Sequence, residues 1–356
     1  MKVCHFTSVH RPEDIRIFHK ECVSLAKAGH EVYLVQRGDS YDKQGVHIVG
    51  FGALPKGKIE RITKTANNAY RIAKELDCDV YHFHDPELLQ YGLKLKKDGK
   101  KVIFDSHEDV PAQIMDKDWI PTAIRSTVSS AYRRLETKVV KQIDAVIAAT
   151  PHIAAKFEGR AKTIEVINNY PLLDDIQFHG KPFEERKPVI CYAGGINESR
   201  GEKVMIEAMK DVDGELIIAG DHEKVKVGDK ISYVGRIDRN EINELYGESV
   251  LGLCILMPTN NYYYSQPIKM YEYMAAGIPF ICSNFPGWNA IAEESKAGIC
   301  VDPGDVRELV NAINYLLDNR QDAFCMGQRG REYVEKRSNW EIEANRLLKL
   351  YSRLQE

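Results

Sequence analysis

Ser265-Gln-Pro-Ile-Lys-Met-Tyr-Glu-Tyr-Met-Ala-Ala-Gly-Ile-Pro-Phe-Ile-Cys-Ser283 is the stretch from which the architecture of this chain follows. Proline is tolerated in the first turn of a helix, where its missing N–H would have no partner, so Pro267 marks a loop that becomes a helix. Gly277 and Pro279 end that helix, and the apolar residues that follow indicate a buried strand. A helix that leads into a buried strand is typical of α/β proteins with parallel sheets.

The first turn of this helix has the features of a phosphate-binding site. Its free amides lie around Gln266 to Lys269, where the positive end of the helix dipole and the Lys269 ammonium attract an anion. Glu272 is three residues beyond Lys269 and therefore on the same face. A carboxylate beside a phosphate suits a ribose diol, so the pattern indicates a nucleotide. The alternative is a solvated Lys269–Glu272 pair worth about 0.2–0.5 kcal/mol.

Size and composition indicate two ordinary globular domains. The chain has 356 residues, 44% of them hydrophobic and 28% charged, and at this length two cores are expected. The formal net charge of −3, with a mild basic excess in the first half, argues against a nucleic-acid partner. The eight cysteines are scattered singly, which indicates buried reduced thiols rather than disulfides or zinc sites.

The chain opens directly into a strand without a signal peptide, and no apolar run approaches the roughly 20 residues that span a bilayer. We therefore expect a cytoplasmic protein. Two basic patches could add peripheral contact with an anionic membrane at the inner face of the cell membrane, the alternative being solvated helix faces. The basic residues are Lys94, Lys96, Lys97, Lys100, Lys101, Arg133 and Arg134.

Short apolar runs alternate with helical patterns along the whole chain, which predicts two doubly wound, Rossmann-like α/β domains facing each other across a cleft. We expect the first domain over residues 1–170, with a terminal helix over 340–356 packing back on it, a linker over 169–188, and the second domain over 188–338. Predicted strands are 2–7, 31–35, 46–51, 80–83, 102–105, 145–149, 164–168, 189–193, 215–219, 231–234, 251–256, 280–282 and 298–301. Predicted helices are 12–28 (with Ile15, Phe18, Cys22 and Leu25 on its buried stripe), 58–76, 87–97, 124–142, 203–209, 239–248, 267–276, 306–319, 321–336 and 340–354.

A glycine-rich turn, Tyr192-Ala-Gly-Gly-Ile-Asn-Glu-Ser-Arg-Gly201, follows the first strand of the second domain and opens a helix. Gly194 and Gly195 would let a ligand approach the backbone, and Arg200 could neutralise a diphosphate. The turn matches neither the Walker A motif nor the dinucleotide fingerprint. The alternative for Arg200 is an exposed loop charge.

Histidines follow two strands of the first domain, in Tyr81-His-Phe-His-Asp-Pro-Glu87 and Phe104-Asp-Ser-His-Glu-Asp109. Two such strand ends facing one cleft suggest substrate contacts or acid–base chemistry, with His84 and His107 favoured and His82 read as structural. A metal site is the competing idea, and we expect none because the histidines lack a standard ligand spacing.

Two further segments carry charge. Asp77-Cys-Asp79 resembles a cation-binding pattern but lies between a helix end and a strand start, so we interpret it as a turn. The loop from His10 to Arg16 follows the first strand, where Arg16 could bind an anionic acceptor or simply cap the helix.

Taken together, the motifs resemble those of the family-four-type retaining glycosyltransferases of GT-B architecture over nearly the full length. The resemblance rests on the run from Pro267 to Pro279, the Gly194–Gly201 turn, the two histidine motifs, Asn168-Asn169, and the terminal helix at Trp340.

The resemblance implies a nucleotide-diphosphate sugar donor of UDP or GDP type and a glycan or lipid-linked acceptor, used in bacterial surface polysaccharide synthesis without a metal or other cofactor. It implies that Glu272 binds ribose, that the loop of Ser265, Gln266, Pro267 and Ile268 holds the distal phosphate, and that Gly194 and Gly195 form the donor turn. Arg200 and Lys269 would stabilise the leaving diphosphate and His107 would lie beside the donor sugar. Arg16, His84 and Asp85 would then contact the acceptor.

Two positions depart from the family. Tyr264 stands where a second glutamate is usual, and Gly195 stands where an arginine is usual, so we expect Lys269 to supply the missing charge. The departures keep two alternatives open: a nucleotide-sugar epimerase of the same shape, and a degenerate nucleotide-sugar-binding protein.

Overall fold

The computed structural model describes residues 1–52, 57, 60–117, 119–176, 181–222 and 225–355. The chain divides into two compact units: Met1–Asn169 together with Glu341–Glu356, and Tyr170–Trp340. Each unit is built on a mostly parallel sheet between helices. The predicted α/β class with two doubly wound domains is confirmed.

The first unit contains an eight-stranded sheet in the order β3-β4-β2-β1-β5-β6-β7-β8. All neighbours are parallel except the β3–β4 pair. The chain winds outwards from β1 in both directions, so the sheet reverses its order between β1 and β5. Ligands of such sheets bind beyond the carboxyl ends of the strands at this reversal. The strands are β1 Lys2–Phe6, β2 Glu31–Gln36, β3 Tyr41–Lys43, β4 Val46–Gly50, β5 Val80–Phe83, β6 Lys101–Ser106, β7 Ala145–Ala148 and β8 Ile164–Val166.

Helices cover this sheet and the first of them begins unusually. Its opening turns, Ile15–Cys22, are wide π-type turns capped by the side chain of Asp14, and they continue into the α-helix Val23–Lys27. Ile15 was predicted on the buried stripe but is 51% exposed, because the wide turns place Ile17 and Phe18 against the sheet instead. The other helical segments are Arg61–Thr65, Ala66–Glu75, Pro86–Leu88, Leu89–Lys97, Val110–Asp116, Thr122–Val140, Pro151–Ala155 and the terminal helix Trp340–Gln355.

The second unit contains a seven-stranded sheet in the order β11-β12-β10-β9-β13-β14-β15. Among the described strands of this sheet, β11 alone runs antiparallel to its neighbour. Its strands are β9 Val189–Ala193, β10 Glu215–Ala219, β11 Val225–Val227, β12 Ile231–Gly235, β13 Leu251–Cys254, β14 Phe280–Ser283 and β15 Gly298–Val301. Its helical segments are Leu173–Asp175, Phe183–Glu185, Glu198–Arg200, Glu202–Ala208, Met209–Asp211, Arg239–Glu248, Asn260–Tyr263, Ile268–Ala275, Pro286–Ser295, Val306–Asp318 and Arg320–Arg337.

The terminal helix Trp340–Gln355 is fixed by buried contacts. The Glu343 carboxylate accepts hydrogen bonds from the Asn168 amide at 3.0 Å and from Asn168 Nδ2 at 3.2 Å. The Tyr351 hydroxyl lies 2.9 Å from His82 Nδ1 and 3.2 Å from His5 Nε2. After Trp340 the helix therefore belongs to the first unit.

Several short elements were not predicted. The edge strands β3 and β11 have three residues each, and the helices Val110–Asp116, Pro151–Ala155 and Pro286–Ser295 start next to prolines that suggest loops in the sequence. The predicted helix over 58–76 starts on residues outside the described part of the chain, as do residues 177–180 of the predicted linker. Asp77 and Asp79 form a turn as interpreted, with Asp77 Oδ1 2.6 Å from Lys100 Nζ. None of the described helices is both long and apolar enough to cross a lipid bilayer.

Candidate functional site

The turn after β9 brings backbone and side-chain groups together at the carboxyl edge of the second sheet. Gly194 has a φ of +128°, which L side chains rarely adopt. Its amide donates to the Ala219 carbonyl at 2.8 Å. A Cβ on Gly195 would lie only 2.9 Å from Arg200 Nη1. The missing side chain of Gly195 therefore lets the arginine lie directly against the turn.

Lys269 points into this turn from the helix Ile268–Ala275. Its Nζ lies 3.5 Å from the centre of the Tyr192 ring, and a Cβ on Gly194 would lie 3.4 Å from it. The nitrogen is buried, and within the described residues it has no hydrogen-bond partner. Burial lowers the pKa of Lys269 to about 8, and the nearby Arg200 also lowers it. The ammonium is thus a buried cation for which the described residues supply no hydrogen-bond acceptor.

Arg200 forms the outer part of the same surface. Its Nη1 donates to the Gly195 carbonyl at 3.0 Å, and its Nε donates to the Tyr262 hydroxyl at 3.3 Å. Burial would lower the pKa of Arg200, but Tyr262 and Tyr192 together outweigh burial and the pKa is raised. Arg200 is therefore charged and held in place while Lys269 lacks a partner. Tyr262 was not among the predicted site residues.

The loop before the helix Ile268–Ala275 is fixed on both sides. The amide and the Oγ of Ser265 both donate to the Tyr262 carbonyl, at 3.0 and 2.8 Å. The Ser265 carbonyl accepts from the Trp288 indole at 2.6 Å. The Ser265 amide is thus occupied and Pro267 has none. The amides of Gln266, Ile268 and Lys269 are left for an anion, because the first amides of a helix have no intrahelical acceptor.

Glu272 lies further along the same helix and is held by two partners from another helix. Its carboxylate accepts from Arg239 Nη2 at 2.8 Å and from the Tyr246 hydroxyl at 3.0 Å. An ionised carboxylate has about four acceptor positions, so room remains for hydroxyl donors. Arg239 and Tyr246 were not predicted as site residues. Arg239 could have been considered from the sequence, because it is a basic residue at the start of the helix that follows β12.

In the first unit, Asp105 at the end of β6 organises a buried polar cluster. Arg16 Nε and Nη2 donate to its two oxygens at 2.8 and 2.9 Å. His107 Nε2 lies 2.9 Å away and His84 Nδ1 lies 3.3 Å away. Burial would raise the pKa of Asp105, but the charge of Arg16 and then His107 hold it well below its usual range. The carboxylate therefore orients both histidines.

The three predicted acceptor contacts lie inside this cluster. The third nitrogen of Arg16 donates to the Ile167 carbonyl at 2.9 Å, so all three guanidinium nitrogens are engaged. Asp85 accepts from the Thr7 hydroxyl at 2.6 Å and pairs with His10 Nδ1 at 3.0 Å. Arg16, His84 and Asp85 are all buried. Contact between these side chains and an acceptor stays a prediction.

His107 and His10 are the cluster members that reach the surface. Their side chains are 20% and 23% exposed, and their ring centres lie 5.2 Å apart. Burial would lower the pKa of His10, but the hydrogen bond to Asp85 and the charges of Asp85 and its neighbouring carboxylates together outweigh burial and raise it. His10 was not predicted as a site residue, because Arg16 was the residue of this loop to which a role was assigned. Its position directly after β1 was the available signal.

Metal ligands had been discounted from their spacing along the chain. Two groups nevertheless come together in space: His5, Glu21, His82 and His84, and separately His84, Asp105 and His107. His5 on β1 is level with His82 on the neighbouring β5. The spacing of histidines within one motif therefore does not decide whether a metal site exists here, because the register of neighbouring strands brings side chains from different motifs together.

Two family models match the sequence. Residues 17–170 match the model described as Glycosyltransferase Family 4. Residues 174–333 match the model described as Glycosyl transferases group 1. The two matches meet near Tyr170, where the structural units also meet.

Curated relatives share part of the chain. Spore coat protein SA of Bacillus subtilis is 24% identical over 270 residues, which are 69% of this chain and 66% of that protein. The GDP-mannose-dependent alpha-(1-6)-phosphatidylinositol monomannoside mannosyltransferase of Mycobacterium tuberculosis is 26% identical over 183 residues, 46% of each chain. The chain thus spans between 46% and 66% of the length of these relatives.

Solved structures match over nearly the whole chain. Sucrose-phosphate synthase from Thermosynechococcus elongatus has a TM-score of 0.79 at 19% identity, covering 99% of this chain and 98% of that one. HepE from Anabaena, solved in complex with UDP, has a TM-score of 0.75 at 14% identity, covering 99% and 100%. At these identities the likeness shows a shared fold.

Proposed function

Because the chain belongs to the family-four-type glycosyltransferases of GT-B architecture, we propose that it transfers a sugar, with retention of configuration, from a nucleotide-diphosphate donor. The observation that carries the proposal is the buried Lys269 ammonium, which has no partner among the described residues. A buried charge without a partner is costly, so such groups are kept where a ligand of opposite charge binds. The diphosphate of the donor is that ligand.

The donor diphosphate binds between the glycine turn and the start of the helix Ile268–Ala275. Lys269 and Arg200 contact its oxygens, and the amides of Gln266 and Ile268 point at the distal phosphate. Glu272 accepts hydrogen bonds from the ribose diol while Arg239 fixes its orientation. The order along the helix, phosphate first and ribose one turn later, fits the geometry of a nucleotide.

The reaction then depends on electrostatic stabilisation of the leaving group. Breaking the bond between the sugar and the diphosphate builds negative charge on the distal phosphate, where the two cations and the amides are already oriented. The leaving phosphate accepts the proton of the acceptor hydroxyl as the new bond forms on the same face of the sugar. The family resemblance further assigns the positioning of the donor sugar to His107, whose Nε2 lies 2.9 Å from Asp105 Oδ2.

The donor is of UDP or GDP type. HepE is solved with UDP, and the mycobacterial relative is named as GDP-mannose-dependent. The acceptor is a glycan or lipid-linked saccharide of bacterial surface polysaccharide synthesis.

A lipid-linked acceptor would bring the protein to a membrane, and one surface of the first unit fits an anionic bilayer. The helix Thr122–Val140 exposes Ile124, Val128 and Leu135 at positions that share one face. Arg134 lies beside this face and is exposed, whereas the exposed Arg133 lies on the opposite side of the helix. In the other basic patch, Lys96 and Lys100 are paired with carboxylates. The helix Thr122–Val140 is therefore the better candidate for contact with the membrane.

Vesicle flotation tests the membrane contact. Binding to phosphatidylglycerol vesicles but not to phosphatidylcholine vesicles is expected, with loss in the Ile124→Ser/Leu135→Ser variant. Val225→Ser/Val227→Ser changes equally exposed apolar residues of the other unit and should leave flotation unchanged. Equal flotation of wild type and the first variant would remove this surface from the proposal.

Turnover of donor sugars tests the function itself. Purified protein is incubated with UDP- and GDP-sugars, with and without a saccharide acceptor, and released nucleotide and isomerised sugar are measured. We expect acceptor-dependent release, reduced about 10²–10³-fold in Arg200→Ala by analogy with loss of one donor to a developing oxyanion. The exposed Arg307→Ala serves as the matched control.

The other outcomes separate the alternatives. An isomerised sugar or free nucleotide formed equally without acceptor indicates an epimerase. Donor binding without any turnover indicates a binding protein. A loss of less than tenfold in Arg200→Ala would show that this arginine is not at the diphosphate.

A further inference from the structure

Four buried side chains of the first unit face one another beneath the polar cluster. His5 lies on β1, His82 lies on β5, His84 follows β5, and Glu21 comes from the wide turns Ile15–Cys22. All four side chains are fully buried. One ligand atom from each lies within 4.8 Å of the others.

The distances between these atoms approach those of a four-coordinate metal site. Glu21 Oε2 lies 3.7 Å from His5 Nδ1, 3.9 Å from His82 Nε2 and 4.0 Å from His84 Nε2. His5 Nδ1 lies 3.1 Å from His84 Nε2. A tetrahedral ion with bonds of about 2.0–2.1 Å separates its ligand atoms by about 3.3 Å. Movements of a few tenths of an ångström would therefore suffice.

The outward-facing nitrogens of His5 and His82 already have a hydrogen-bond partner, and that of His84 faces a carboxylate. His5 Nε2 and His82 Nδ1 both lie within hydrogen-bond distance of the Tyr351 hydroxyl, whose oxygen can accept two protons. His84 Nδ1 faces Asp105 at 3.3 Å. With protons on these outer nitrogens, the three inner nitrogens present lone pairs. Outer partners of this kind fix the tautomer of metal-binding histidines.

Glu21 points to a missing cation. Neither of its oxygens accepts a hydrogen bond from the described residues, although both are buried. Arg16 Nε lies 3.1 Å from Oε1, but that guanidinium is already held by Asp105. Two buried carboxylates thus share one guanidinium, and a buried carboxylate without compensation is expensive.

We propose that His5 Nδ1, His82 Nε2, His84 Nε2 and Glu21 Oε2 bind one Zn²⁺ ion. Three imidazoles and a carboxylate suit zinc and its neighbours in the first transition row, and do not suit magnesium or calcium, which prefer oxygen ligands. Four protein ligands in a closed, buried site are typical of a structural rather than a catalytic ion. The ion joins β1, β5 and the first helix, and through Tyr351 it supports the terminal helix.

Zinc binding is measured without a donor or an acceptor, so its test does not depend on the proposed sugar transfer. The full chain is expressed with added zinc, purified without chelator and analysed for metal by mass spectrometry. We expect about one zinc per chain, a drop of at least tenfold in Glu21→Gln and in His82→Gln, and no change in His47→Ala. His47 is an exposed histidine beside Asp42 and is the matched control.

Two measurements on the wild-type protein avoid dependence on variants that fail to fold. A chelator should lower its Tm by several degrees and added ZnCl₂ should restore it. Reconstitution with CoCl₂ should give the intense visible bands of tetrahedral cobalt. Wild-type protein that stays below 0.1 zinc per chain even after ZnCl₂ treatment overturns the proposal. The proposal is also overturned if both variants keep as much zinc as the wild type. It is overturned as well if cobalt gives the weak spectrum of an octahedral site.

Discussion

Lys269 combines two properties that conflict in a protein without its ligand. Its ammonium lies over the Tyr192 ring, which stabilises a cation, yet burial lowers its pKa to about 8 and among the described residues it has no hydrogen-bond acceptor. The unliganded fold therefore carries a charge that it would be more stable without. Residues kept at such a cost are expected where function needs them.

This conflict predicts a variant that is more stable but does not bind the donor. The pKa of Lys269 is lower in the folded chain than its usual 10.5, so protonation opposes folding below pH 8, and the penalty is relieved as the pH rises from about 8 to 10.5. Lys269→Met should therefore raise the free energy of unfolding at pH 7 by about 1–3 kcal/mol, and Tm with it. The measurement is thermal or urea unfolding without ligand.

Lys203→Met is the control, because Lys203 is exposed in the same unit and its loss should stay within about 0.5 kcal/mol. A destabilised Lys269→Met would mean that the ammonium has a stabilising partner in the protein, and the argument for a missing anion would fail. If Lys269→Ala left KM and kcat for the donor unchanged, Lys269 would not supply the positive charge that is missing because Gly195 replaces the family's usual arginine.

The same pKa predicts how activity depends on pH. The ammonium loses its proton in the free protein as the pH rises through about 8, so kcat/KM for the donor should fall above that pH. A bound diphosphate favours the charged form, so kcat at saturating donor should persist to higher pH. The measurement is the pH profile of both constants.

In Lys269→Arg the guanidinium stays charged throughout, and the fall in kcat/KM should disappear. A wild-type profile that stays flat from pH 7 to 10 would contradict a role for the Lys269 charge in donor binding.

The terminal helix Trp340–Gln355 shows how one element depends on a single buried carboxylate. Glu343 is 1% exposed and accepts both hydrogen bonds that Asn168 donates to it. Glu343→Ala leaves the Asn168 amide buried without an acceptor, which should cost about 1–3 kcal/mol. Urea unfolding should show a lower midpoint for the first unit.

Glu341→Ala, an exposed glutamate on the same helix, is the matched control and should leave the midpoint unchanged. A neutral Glu343→Ala would show that this end of the helix is held by apolar packing alone.

Elements with strong periodicity were predictable and elements defined by their neighbours were not. The strands Val189–Ala193, Glu215–Ala219 and Gly298–Val301 have the predicted bounds, because each is a short apolar run between turn residues. The helix Pro286–Ser295 was missed, because Asn-Phe-Pro-Gly suggests a turn when read locally.

The candidate sites divide in the same way. Lys269 and Glu272 could be placed on one face because helix spacing fixes their relation. Arg239 and Tyr246 could not be assigned to Glu272, because they come from a different helix. His5, Glu21, His82 and His84 are joined by strand register and by the first helix, which no local pattern contains.

Each of the two units carries a distinct chemistry. The second places Arg200 and Lys269 at its glycine turn and the Glu272 carboxylate further along the same helix as Lys269. The first presents His10 and His107 above a buried network of charges. The two family models also match separate parts of the sequence, residues 17–170 and residues 174–333. The proposed sugar transfer therefore depends most on the second unit binding a nucleoside diphosphate.

Thermal unfolding of the full chain with added UDP, GDP or ADP tests that claim most directly, with Lys269→Met measured in parallel. A nucleotide present at about 100 times its Kd stabilises the fold by about 2.7 kcal/mol, enough to raise Tm by several degrees. We expect UDP or GDP to give this rise in the wild type and a much smaller one in Lys269→Met. No rise with any of the three at millimolar concentration, or an equal rise in both proteins, would contradict the account.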